Sequence, residues 1–95
     1  MTFEVKYDKL SNQTGNFYIE YQDDRGEPSG IEITDADFHI LTDGTNFCVI
    51  KTGMLKKHIP KLLKKRRIGI RPHREGAMGY IIPRDIIHEL TDFLI

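Results

Sequence analysis

In the first half of the chain, apolar residues recur at every second position, and that spacing commits these segments to strands with one covered face. Phe3, Val5 and Tyr7 alternate with Glu4 and Lys6, and Phe17, Ile19 and Tyr21 alternate with Tyr18, Glu20 and Gln22. The turn-forming residues 11–16 between them predict that the two segments pair as a hairpin, with both apolar rows on a common core. A loop is expected over residues 23–30, which hold Gly26, Pro28 and Gly30. A short segment at 31–33 and one helical turn at 34–37, capped by Thr34, follow it. Asp43-Gly44 is a hairpin dipeptide, so residues 38–42 and 46–51 form a second hairpin.

The period changes after Lys51. Met54, Leu55, His58, Ile59, Leu62 and Leu63 fall on one face of a helix that Thr52 can cap, and Pro60 either kinks it or divides it in two. Residues 68–71 and 79–82 read as two short strands, and Pro83 opens a terminal helix with Ile86, Ile87, Leu90, Phe93 and Leu94 on one face. The expected order is β-β-β-β-α-β-β-α. It describes a mixed α/β fold, a mainly antiparallel sheet with two helices, in a single domain over residues 1–95. A chain of 95 residues holds one modest core, which a partner chain can complete. No apolar run approaches the roughly 20 residues of a membrane span, and the start lacks a basic flank followed by an apolar stretch. The lone cysteine, Cys48, lies in an apolar run, which predicts a buried thiol and a reducing, cytoplasmic setting.

Lysine and arginine together equal aspartate and glutamate at 14 each, yet the charges are segregated. Residues 1–50 carry ten acids against Lys6, Lys9 and Arg25, whereas residues 51–74 carry ten bases and no acid. The bases are Lys51, Lys56, Lys57, Lys61, Lys64, Lys65, Arg66, Arg67, Arg71 and Arg74. All but Lys51 form the candidate nucleic-acid-binding set, since uncompensated cations neutralise phosphates and release their counterions. The same run also fits a solvated helix face, or one that folds back on the acidic half.

In the expected first hairpin, Glu4, Lys6, Asp8 and Glu20 project from the face opposite the core. If Asp8 lies opposite Asn16, Glu4 falls across from Glu20, and two opposed carboxylates need a lysine, a cation or solvent between them. Lys6 is the nearby cation and Mg2+ the functional alternative, with Lys6 beside a metal-bound water. A solvent-facing hairpin side accounts for the same residues. The four histidines show no metal-ligand spacing and receive no role; His58 reads as a packed side chain. Tyr18 and Tyr80 could stack on bases or pack within the sheet. Ser29 reads as turn chemistry.

The strings Glu4-Val5-Lys6-Tyr7-Asp8, Thr14-Gly15-Asn16 leading into Ile19-Glu20, Pro28-Ser29-Gly30-Ile31 and Thr34-x-Ala36-Asp37 occur in that order. Together they resemble the phage and bacterial branch of the PD-(D/E)XK nuclease-like proteins over residues 3 to about 59. Gly79-Tyr80-Ile81-Ile82-Pro83 is similar to that group's ending. The resemblance implies a restriction-endonuclease-like core, with Glu4 as metal ligand and Lys6 as catalytic lysine. The group's metal-binding Asp lies on a strand before Glu-x-Lys, and only three residues precede Glu4. The implied core is therefore truncated, and Asp8, Glu20 or a carboxylate from another subunit must stand in for the missing Asp.

Three functions follow as expectations. The first is a Mg2+-dependent DNA endonuclease acting as a homodimer, with Glu4, Asp8 and Glu20 on the metal, Lys6 at the attacking water and the basic segment on phosphates. The second is a non-catalytic relative that binds nucleic acid, DNA more than RNA, or a protein partner. The third is a protein that binds another protein through its acidic half.

Overall fold

The computed structural model describes residues 1–9, 11–73, 75–91 and 93–94. In chain order its elements are β1 (Phe3–Tyr7), the one-turn α1 (Ser11–Thr14), β2 (Asn16–Gln22), a 3-10 turn (Gly30–Glu32), β3 (Phe38–Thr42), β4 (Phe47–Lys51), α2 (Thr52–Lys64), β5 (Gly69–Pro72), β6 (Met78–Pro83), α3 (Arg84–Leu90) and β7 (Phe93–Leu94). The result is a mixed α/β fold in which antiparallel pairing predominates. No helix among the described residues is long and apolar enough to cross a membrane.

The β3-β4 hairpin forms where its sequence places it, with Thr42 paired to Phe47 and Phe38 to Lys51. Its loop is held by Asp43, whose Oδ1 accepts from the amides of Thr45 and Asn46, both at 2.8 Å. Those amides hold the buried carboxyl below the usual carboxylate range, and Arg84 at 3.2 Å adds to the effect. The first turn of α3 is thereby tied to the hairpin tip.

The expected first hairpin does not form. β1 runs parallel to β3, with Phe3 paired to Phe38 and Tyr7 to Thr42, while β2 runs antiparallel to β6 in a second sheet. The two sheets have strand orders β1-β3-β4-β7 and β2-β6-β5. The apolar alternation in β1 is real but faces outward: Phe3, Val5 and Tyr7 are 50%, 60% and 62% exposed. Register with β3 decides this, because Glu4 and Lys6 pair with His39 and Leu41, the two β3 residues that point at the core. Glu4 and Glu20 therefore lie in different sheets, and nothing opposes them across a hairpin.

One core joins the elements. Phe17 and Ile19 of β2, Leu41 of β3, Cys48 and Ile50 of β4, Leu55, Ile59 and Leu62 of α2, Ile82 of β6 and Ile87 of α3 all belong to it. Each fully buried aliphatic side chain contributes roughly 1.5–3 kcal/mol. Cys48 is buried as expected.

Three further expectations are corrected. Pro60 does not divide α2, which runs as one helix from Thr52 to Lys64. The bond that Pro60 forfeits is to the carbonyl of Lys56, on the helix's exposed flank where solvent satisfies it. The helical turn expected at 34–37 falls earlier, at Gly30–Glu32, because Thr34 Oγ1 accepts from the Ala36 amide in a side-chain turn instead. The last helix ends at Leu90, and Phe93–Leu94 adds a strand beside β4 rather than extending the helical face.

Candidate functional site

The acid-free segment becomes an exposed ridge. In α2 the buried residues Thr52, Leu55, Ile59 and Leu62 face inward. Lys57, Lys61 and Lys64, spaced by four and three residues, line the opposite face. Lys65, Arg66 and Arg67 follow the helix as exposed cations, and Arg71 is exposed on β5. Two members are engaged within the chain: Arg67 Nη2 lies 3.2 Å from Glu89 Oε1, and Lys56 Nζ donates to the Thr34 carbonyl at 3.3 Å. Arg74 lies outside the described residues.

The end of α2 is closed by bonds from the Arg66 amide to the Leu63 carbonyl and from the Arg67 amide to the Leu62 carbonyl. This closure puts Arg66 at φ 58°, the left-handed position where glycine ordinarily stands. An L residue costs about 1 kcal/mol there. A cation thus occupies a strained position in the middle of the ridge.

The second feature is a cleft of about 700 Å3 where the β1 end of one sheet meets the β2-β6-β5 sheet. Lys6, Asp8 and Glu20 line it, as do Tyr18, Arg71 and His73. Three of the four candidate catalytic residues are thus brought to one cavity, with a member of the basic ridge at its wall. The carboxylates are already engaged: Asp8 Oδ2 accepts from the Tyr18 amide at 3.1 Å, and Glu20 Oε2 accepts from Ser29 Oγ at 2.7 Å. No three His, Cys, Asp or Glu side chains among the described residues cluster closely enough to hold a metal ion. The Tyr18 ring lies against Gly79 so closely that a Cβ there would overlap it, and its buried hydroxyl has no hydrogen-bond partner among the described residues. Burial raises its pKa, with Glu20 adding to the rise. Tyr80 is not presented to bases; it is buried and stacks on Tyr21 at 4.5 Å.

Glu4, the fourth candidate, is engaged elsewhere. Its Oε2 lies 3.0 Å from Nε2 of His39, a fully buried residue, and its Oε1 lies 3.8 Å from Lys6 Nζ. On the other side of the imidazole, Nδ1 is 2.8 Å from Thr52 Oγ1. Burial pushes His39 below the usual histidine value; Glu4 pulls it partway back, while Lys6 and Lys56 act with burial. The neutral ring beside a carboxylate favours the tautomer with its proton on Nε2, so that the Thr52 hydroxyl donates to Nδ1. Acid, base and hydroxyl in a row resemble a nucleophilic relay, yet Thr52 is only 5% exposed and no substrate reaches it. The row instead fastens β1 and β3 to the start of α2, and Thr52 bonds His39 rather than capping the helix.

Sequence reasoning missed His39, because spacing along the chain cannot show that β1 and β3 pair in parallel. The only available signal was a polar residue at an inward position of the β3 alternation. Comparison with family models, with curated proteins and with solved structures finds no match to this chain.

Proposed function

We propose that this protein binds nucleic acid, DNA in the first instance, by laying the α2 ridge and its continuation against the phosphate backbone. The observation that supports this most is the stripe of Lys57, Lys61 and Lys64 opposite the helix's buried face, extended by Lys65, Arg66 and Arg71 without an intervening acid. Three to five phosphate contacts predict that log K falls with log salt at a slope of about −3 to −5. Anisotropy titrations of a labelled duplex across a salt series measure that slope. The triple variant Lys57→Ala, Lys61→Ala, Lys64→Ala should flatten it by about 2 to 3. Arg66→Gly should weaken binding while raising the unfolding midpoint, since glycine relieves the left-handed strain. An affinity that does not respond to salt, or a triple variant that binds like the parent, sinks this reading. A cytoplasmic setting and the lone buried thiol suit it.

A second reading, a Mg2+-dependent endonuclease on a restriction-endonuclease-like core, is favoured by the cleft that holds Lys6, Asp8 and Glu20 beside Arg71. In it the two carboxylates hold the ion, Lys6 positions the attacking water, and Glu4 acts only through its contact with Lys6. Calorimetric titration with Mg2+ and Mn2+ should then show binding that Asp8→Ala removes, and Lys6→Ala should abolish cleavage while sparing DNA affinity. Cleavage that survives Lys6→Ala ends that reading.

A further inference from the structure

The outer face of the β1-β3-β4-β7 sheet is apolar and uncovered at its β1 end. Phe3, Val5 and Tyr7 are at least half exposed, and Phe3 stacks on Phe38 of the neighbouring strand at 5.4 Å. β1 is also a sheet edge. The Thr2 carbonyl accepts from the Phe38 amide and the Asp8 amide donates to the Thr42 carbonyl, so the even-numbered residues carry the bonds to β3. By the alternation of a parallel ladder, the amides and carbonyls of Phe3, Val5 and Tyr7 face the open edge. The other edges are blunted: β5 carries Pro72 and exposed Arg71, Asp8 occupies the outward amide of Tyr18 on β2, and β7 has two residues.

We propose that β1 pairs antiparallel with β1 of a second copy of this chain about a two-fold axis at Val5. The strand Phe-Glu-Val-Lys-Tyr is self-complementary in that register. Val5 meets Val5 of the second copy and Phe3 meets Tyr7, so both apolar rows merge on the outer face. On the inner face Glu4 meets Lys6 twice, in the non-hydrogen-bonded positions where cross-strand side chains come closest. Slipping the register by one residue on each strand keeps the apolar faces aligned but opposes Glu4 to Glu4, or Lys6 to Lys6. Slipping it by an odd count puts the apolar rows on opposite faces. A lysine alone on an edge strand discourages pairing. Two residues from Glu4, it selects one partner and one register. The two four-stranded sheets become one continuous sheet with the basic ridges outside it. This inference does not rest on nucleic-acid binding.

Five residues across an edge make a small interface, so association is concentration-dependent and weak. Sedimentation equilibrium of the full chain should show the mass rising from monomer toward dimer between about 10 µM and 1 mM. Lys6→Glu opposes like charges at both paired positions and should raise the dissociation constant at least about tenfold. Register is read by cysteine cross-linking against the low background of buried Cys48. Val5→Cys should form a disulfide dimer under mild oxidation, because hydrogen-bonded antiparallel partners stand about 5.5 Å apart at Cα. Phe3→Cys should not, since its two copies would be separated by roughly 13 Å. A monomer at 1 mM, a dimer indifferent to Lys6→Glu, or equal cross-linking through Phe3→Cys and Val5→Cys would each overturn the proposal.

Discussion

Gly30→Ala should destabilise the protein by about 3 kcal/mol or more, a large part of the roughly 5–15 kcal/mol available to a small domain. Two effects add. Gly30 sits at φ 52°, where a side chain costs about 1 kcal/mol on backbone grounds alone. A Cβ there would also overlap the carbonyl oxygen of Glu20, which is backbone and cannot swing aside. Relief requires the 3-10 turn to lift from β2, withdrawing buried Ile31 from the core and breaking the Ser29 bond to the Glu20 carboxylate. Gly53→Ala is the matched control. Gly53 lies in the first turn of α2 with open space around its Cβ position, so alanine should stabilise by up to about 1 kcal/mol. Urea unfolding followed by circular dichroism gives both midpoints. A Gly30→Ala midpoint equal to the parent's would mean that the turn does not seat on β2 as described.

The same turn shows what could be read from the chain and what could not. Strand and helix segments followed from periodicity, and the β3-β4 hairpin from Asp43-Gly44, because those signals act within a few residues. Pairing between distant segments leaves no such trace. β1 and β2 have the alternation of a hairpin, but the residues between them fold into α1 and a departure to the second sheet, and β1 finds its partner about 30 residues on. Once β1 pairs with β3, register reverses the meaning of its pattern. Glu4 turns to a buried histidine, and the aromatic row becomes an open surface. The basic ridge was legible because exposure of lysine and arginine on a helix depends only on the position of its apolar face. The grouping of Lys6, Asp8 and Glu20 around one cleft survives the loss of the hairpin for a different reason. Asp8, the residue after β1, accepts from the Tyr18 amide, which ties the end of β1 to β2.

The buried row of Glu4, His39 and Thr52 should make stability depend on pH in a window set by the histidine. His39 has a folded-state pKa below its unfolded value near 6.5, so between the two the unfolded chain binds more protons. Stability is therefore complete above about pH 6.5 and falls as pH drops toward the folded value, by up to about 1.4 kcal/mol per unit. Below the folded pKa both states are protonated and this contribution levels off. The lowered carboxyl of Asp43 acts in a separate window, beginning near its ordinary value of 3.8, so the two effects do not overlap at their onset. His39→Gln should flatten the curve between pH 7.5 and 5. Glu4→Gln removes the neighbour that favours the protonated ring, so the His39 value should drop further and the fall should extend to lower pH. Glu4→Ala should cost about 1 kcal/mol at neutral pH, because it withdraws the carboxylate that lies 3.0 Å from the buried Nε2 of His39. Urea midpoints at half-unit pH steps test all three. A His39→Gln curve parallel to the parent's would show that this imidazole does not titrate differently on folding. A Glu4→Ala variant as stable as the parent would mean that the Glu4 contact with His39 does not hold β1 to the core.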